Sequence, residues 1–226
     1  MGKVTILPET TKNPITLIGK RAGVCWGADI SDDQKNYARG IDCIESNHGR
    51  TLEFANIEMV LTGYSARVIR EWYTHIGGAP TRLQASTRYI DYSDFGYIVP
   101  DSIKRNEDAL HAYETAIAVI SNSLMHLEQL GIPREDSANL LPFGMETTIV
   151  DKRNLRNLID MSRNRECTRA LWEFRDLFKD ICNALRAYSP EWGYIVDTQF
   201  MPKCEILGYC PEKNSCGRKP KRNAKA

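Results

Sequence analysis

The chain has little of several things that would have placed it quickly. In its 226 residues there is no apolar run of the roughly eighteen residues that a membrane span needs, and no charged-then-apolar leader pattern opens it. Neither charge sign dominates: 30 basic residues stand against 29 acidic ones, a formal charge of +1. No global field therefore points to nucleic acid or a membrane surface. No G-x-G-x-x-G follows a strand-like segment, so a Rossmann-type dinucleotide site is unsupported. Internal repeats are absent, and no closely spaced Cys pair of the kind zinc sites use occurs. Seven cysteines, an odd number spread along the chain, fit a reduced, cytoplasmic protein better than a disulfide scaffold. What remains is the composition of an ordinary globular domain, with 42% hydrophobic and 26% charged residues and length enough to bury a core.

The pattern along the chain mixes both periods. Lys3 to Leu7 and Thr16 to Cys25 read as extended, rich in β-branched residues. Ser31-Asp32-Asp33 reads as the cap of a helix from Gln34 to Asn47, with Tyr37, Ile41 and Ile44 on its inner face and Gly49 ending it. Phe54 to Thr62 alternates as a strand. Ser65 caps a short helix carrying Val68, Ile69, Trp72 and Tyr73, and Thr87 to Tyr92 is the next strand, with Tyr89 in the core. Asp101-Ser102 opens one long helix to Leu130, striped by Leu110, Tyr113, Ile117, Ile120, Leu124 and Leu127, and Gly131-Ile-Pro133 breaks it. Thr147 to Val150 reads as a strand before a helix from Asn154 to Ser162. A last helix from Thr168 to Tyr188 is stopped by Pro190. The expectation is an α+β fold, a single domain over residues 1–200 with a mixed, largely antiparallel sheet flanked by long helices. A loosely ordered Cys- and Lys-rich tail follows over 201–226.

The chemistry concentrates in Arg70 to Tyr89, REWYTHIGGAPTRLQASTRY. A histidine, a glycine pair, hydroxyls, a side-chain amide and three arginines stand there between apolar segments. Such a set can hold a phosphate and a planar polar ring. His48, His111 and His126 lie at helix positions where a structural reading is preferred. Cys204-x5-Cys210-x5-Cys216 is spaced more widely than zinc pairs, and three cysteines are local where four ligands are needed. A fourth such as Cys182 would have to come from elsewhere, so neither zinc nor an iron–sulfur cluster is assigned and the cysteines are read as a redox or inert tail.

Three further blocks accompany the first: Leu141-Pro142, Asn154-Leu-Arg156-Asn-Leu158, and Arg165-x-Cys167-x-Arg169-Ala-x-Trp172-Glu-x-Arg175. With His75 and Ser86-x-Arg88-Tyr89 they resemble, in order and separation, the flavin-dependent thymidylate synthase family over roughly residues 20 to 190. The departures are specific. Thr74 and Ile76 replace the arginines that flank the signature histidine, the gap from His75 to Ser86 is about two residues longer, and Ala138 stands where many members carry an arginine. Arg82, inside that longer gap, is the candidate to restore one cation.

The resemblance implies reductive methylation of dUMP to dTMP with FAD as cofactor and methylenetetrahydrofolate and NADPH as co-substrates. A homotetramer with shared sites, no nucleic-acid partner and no membrane is implied as well. Arg165 is carried over as the residue that acts on charge developing on the pyrimidine. Gln84, Ser86, Thr87 and Arg88 join it in binding the nucleotide, while His75, Arg82, Asn154, Arg156 and Arg169 contact the flavin. Trp172 and Cys167 are read as packing residues, and no cysteine nucleophile is required. The altered Thr74-His75-Ile76 triplet leaves open hydroxymethyl transfer to the same nucleotide, or a weakened flavin- or nucleotide-binding protein.

Overall fold

A computed structural model describes residues 2–222. Four antiparallel strands form its sheet in the order β1-β2-β4-β3, with β1 at Lys3–Ile6, β2 at Asn56–Ser65, β3 at Thr81–Gln84 and β4 at Glu146–Asn154. The pairing Val60↔Val150 sets the central register, and a bulge between Thr62 and Tyr64 falls at Gly63, whose φ is +71°. Alternation decides which face is covered. Ile57, Met59 and Leu61 of β2 and Thr147, Ile149, Asp151 and Arg153 of β4 are buried. The α+β class and single sheet agree with the sequence reading.

Helices cover that face. α1 (Pro14–Cys25) and α2 (Asp33–Glu45) come first, then α3 (Gly49–Leu52) and α4 (Ala66–Trp72). α8 (Leu155–Arg165), α9 (Trp172–Tyr188) and α10 (Pro190–Gln199) complete the layer. Phe174, Leu177, Phe178, Ile181 and Leu185 of α9 are fully buried, as their spacing implies. Ser65 and Asn154 each end a strand and cap the next helix, accepting from the Val68 and Asn157 N–H groups. Asp32 caps α2 through the N–H groups of Gln34 and Lys35.

Several expectations fail for identifiable reasons. Thr16–Cys25 is helical: Pro14 occupies the first turn, and the Glu191 carboxylate takes the Ile15 and Thr16 N–H groups at 2.6 and 3.0 Å. Gly49 begins α3 rather than ending α2. The Thr87–Tyr92 strand is absent, since β3 lies earlier, at 81–84, and Tyr89 stands 75% exposed after it. The long helix is divided at Arg105-Asn106 into α5 (Asp101–Lys104) and α6 (Glu107–Gln129), because Asn106 caps the second segment by accepting from Ala109. A short α7 (Arg134–Ser137) follows. The helix ended by Pro190 does stop at Tyr188 but is not the last, because Pro190 opens α10, and Trp192 of that helix donates to the Thr11 carbonyl. The C-terminal segment is folded too: α11 spans Lys203–Leu207, and Cys204 and Cys210 are buried. The end of the basic tail, residues 223–226, lies outside the described residues. Among the described residues no helix is long and apolar enough to cross a membrane.

The α1–α2 contact depends on missing side chains. A Cβ added at Gly19 would sit 1.7 Å from the Asn36 carbonyl oxygen, and one at Gly40 would sit 2.0 Å from that of Ile15. Alanine at 40 gains about 1 kcal/mol of helix propensity. It clashes with backbone that cannot rotate away, so Gly40→Ala should cost about 2 kcal/mol net, read as a lower urea midpoint at unchanged m-value.

Candidate active site

The end of α4 and the end of α8 meet through His75 and Arg165. Arg165 Nε donates to His75 Nε2 at 2.8 Å and Nη1 pairs with Glu71 at 2.7 Å, while Nη2 reaches the Thr74 hydroxyl only at 3.5 Å. The guanidinium lies over the Phe174 ring at 4.5 Å, and His75 meets the same ring edge-on. Burial and the Arg165 charge hold the His75 pKa down at about 4. The imidazole is therefore neutral, and with Nε2 accepting, its proton sits on Nδ1. Thr74, standing where an arginine was expected, contributes a hydroxyl.

Beneath this pair lies a buried ionic group that the sequence reading missed. Arg153 and Asp151, two apart on β4 and so on one face, have side chains with no exposure and bond twice at 2.6 Å. Trp72 Nε1 donates to Asp151 at 2.9 Å and its ring lies 4.0 Å from the Arg153 guanidinium, while Asn157 accepts from Arg153 at 2.7 Å. The pair thus joins β4, α4 and α8.

The remaining candidates fall into separate groups. His75, Arg165 and Arg169 line one hollow of about 340 Å³, together with Cys167 and the C-terminal segment, and Arg169 pairs there with Glu212 at 3.4 Å. Arg156 lines a second hollow of about 350 Å³ with Arg50 and Arg163 and pairs with Glu53 at 2.6 Å. Arg163 reaches both hollows, and its Nε is buried without a partner. Asn154 is committed to capping α8 and faces Gly78. Arg82 donates to the Tyr73 carbonyl and stacks over that ring, tying β3 to the end of α4.

Gln84 ends β3, and Ser86, Thr87 and Arg88 follow it towards the opposite end of β4. Gln84 bonds to Thr147, the Ser86 hydroxyl accepts from the Arg88 N–H, and Arg88 pairs with Glu135 at 2.8 Å on the surface. One chain does not bring this group to the Arg165 hollow. His48, His111 and His126 are exposed. Trp172 and Cys167 are only half-buried, not core; the buried residue of that motif is Glu173, which accepts from the Ser65 N–H and hydroxyl.

The pattern of the thymidylate synthase complementing protein family matches residues 6–191. The chain belongs to that family. Its relatives include flavin-dependent thymidylate synthases from Nitratidesulfovibrio vulgaris, 29% identical with 98% of this chain and 97% of the relative covered, and from Geobacter sulfurreducens, 25% identical with 96% and 94% covered. Solved structures share the fold. A UMP/dUMP methylase, PolB, from Streptomyces cacaoi bound with 5-Br dUMP superposes with a TM-score of 0.73 at 14% identity, over 88% of this chain and 96% of that one. The flavin-dependent thymidylate synthase of Helicobacter pylori complexed with FAD and dUMP gives 0.68 at 19%, over 88% and 99%. The family match ends before the C-terminal segment, whereas the Nitratidesulfovibrio vulgaris relative aligns over nearly the whole chain.

The neutral His75 makes a stability prediction. Its folded pKa lies below the unfolded value of 6.5, so the unfolded chain takes up a proton first as pH falls. This contribution is constant above pH 6.5, is lost between 6.5 and about 4, and levels off below that. His75→Asn should flatten the fall of Tm across that window relative to the unaltered chain; identical slopes would contradict the assignment.

Proposed function

We propose that this protein converts dUMP to dTMP by reductive methylation, using FAD, methylenetetrahydrofolate and NADPH. The observation that carries the assignment is the neutral His75 bonded to Arg165 at the mouth of a cation-lined hollow, in a chain of this family. Arg165 keeps N–H donors beyond those engaged by His75 and Glu71. A guanidinium so placed polarises a pyrimidine carbonyl and stabilises the enolate charge that grows when C5 reacts. His75 offers its Nδ1 proton to a second acceptor. Ser86 and Arg88 hold the nucleotide phosphate, with Thr87 and Gln84 beside them.

A flavin dinucleotide fits the residues present. Arg50, Arg156 and Arg163 around one hollow, with Arg163 Nε unpartnered, offer donors to a diphosphate, which would exchange with the Glu53 and Asp160 carboxylates that Arg156 and Arg163 now meet. Bound flavin supplies the hydride and one-carbon chemistry that no side chain here can provide. Asn154, Arg169 and Arg82 are assigned to the same cofactor, the last through the Tyr73 edge. Seven unpaired cysteines suit a reducing, cytoplasmic setting.

Neither hollow is large enough for FAD and dUMP together, and the Ser86–Arg88 group lies on another part of the surface. A second copy completes the site in this reading. Leu83, Tyr89, Val119, Met125 and Phe143 are exposed apolar side chains that such copies would cover, and a homotetramer is the assembly proposed.

Incubation with dUMP, methylenetetrahydrofolate and NADPH should give dTMP by mass; a hydroxymethyl product, or none from flavin-loaded protein, rejects the assignment. Arg165→Ala should lower turnover about 10²–10³-fold with flavin retained. Arg165→Ala and Arg88→Ala proteins, each strongly impaired alone, should recover activity when co-expressed as mixed oligomers. No recovery from verified mixed oligomers would refute the shared site.

A further inference from the structure

The C-terminal cysteines lack a fourth partner in sequence, but the fold supplies one. Cys204, Cys210 and Cys216 line the same hollow as Cys167, from the α8–α9 connection, and all four thiols are unpaired. The convergence is built by the backbone. α11 carries Cys204 inward. Gly208 ends it at φ +71°, and Gly217, at φ +87°, turns the chain after Cys216. A Cβ at either glycine would meet nothing within 4 Å, so each serves the left-handed turn rather than close packing. The Cys210 N–H donates to the Pro220 carbonyl, which closes the segment on itself. Arg218 donates to the Glu166 carbonyl, and Lys219 pairs with Glu205.

We propose that Cys167, Cys204, Cys210 and Cys216 are the four ligands of an iron–sulfur cluster. Three observations support it. First, this segment buries little beyond Cys204 and Cys210. A stretch with so small an apolar core needs another source of order, and metal–thiolate bonds are a common one. Second, a single zinc ion with Zn–S near 2.3 Å draws its four sulfurs together at a point. Among the described residues no three His, Cys, Asp or Glu side chains are grouped to hold one ion. A cluster keeps its thiolates further apart because the iron–sulfide core lies between them, and it occupies a hollow. Third, the cavity lining is net positive, with Arg163, Arg169, Lys203 and Lys219 against the carboxylate of Glu212, which pairs with Arg169, and this balance favours thiolates there. Cys182 is not the missing ligand: it lies in a different hollow beside Glu166 and Arg186. The inference does not rest on the methylation reading, although His75, Arg165 and Arg169 line the same hollow. It gives the tail the task of fastening the connection between Arg165 and α9.

The test is anaerobic purification of the full chain with analysis of iron, acid-labile sulfide and zinc. Iron and sulfide in equal amounts, with broad visible absorption that persists after the flavin is removed, is the expected result. Cys167→Ser, Cys204→Ser, Cys210→Ser and Cys216→Ser should each reduce iron to background, while Cys25→Ser, at an exposed position outside the hollow, should retain it. Circular dichroism and flavin content separate ligand loss from misfolding. No iron or sulfide after purification and reconstitution with ferrous iron and sulfide would overturn the proposal, whatever the variants do. Stoichiometric zinc without sulfide would overturn it equally, and an undiminished cluster in Cys167→Ser would remove that residue from the set.

Discussion

The paired charges of Arg153 and Asp151 are the constraint on which the rest of the molecule's functional end depends. Taking an arginine and an aspartate wholly out of water carries a large desolvation cost, and their attraction offsets it only when the remaining donors and acceptors are met. Here they are met by Trp72 from α4 and Asn157 from α8, so the pair tolerates only one arrangement of those helices on β4. Order then passes outward by contact. Trp72 stacks on Phe174, and Phe174 supports both His75 and Arg165. A well-packed apolar replacement can match such a group in stability, but it does not impose the same geometry; specificity of arrangement is what the buried charges contribute.

This explains what the sequence could and could not disclose. The α9 stripe, the Ser65 and Asp32 caps and the strand at Ile57–Leu61 were legible because apolar period and capping chemistry agree there. The apolar alternation of β4 ends at Val150, and the charged run Asp151-Lys152-Arg153 carries no signal of a strand's buried face. Only the tertiary structure reveals that 151 and 153 point inward with 147 and 149. α1 was misread since β-branched residues and two glycines argue against a helix locally. The glycines are there for the partner helix, a fact that no local propensity encodes. Tyr89 and the 87–92 strand failed for a related reason: the strand pairing with β4 is used up at Gln84 and Ala85, and the chain beyond it turns away.

The candidate site was legible as a set of residues, not as a place. His75 and Arg165 do meet. Arg156 and Arg169 line different hollows joined by Arg163, a residue that no motif singled out and whose orphaned Nε was the only available hint. The Ser86–Arg88 group after β3 belongs to another surface of the chain.

One consequence of the Arg165–His75 bond concerns constancy. A histidine is ordinarily the side chain whose charge drifts as a cell's pH moves around neutrality. Here the neighbouring guanidinium and the burial push that drift far into the acid range. The electric potential that an anionic ligand meets beside Arg165 is therefore set by the fixed charges around it, with no contribution from a titrating imidazole. It does not flicker with proton exchange on the imidazole.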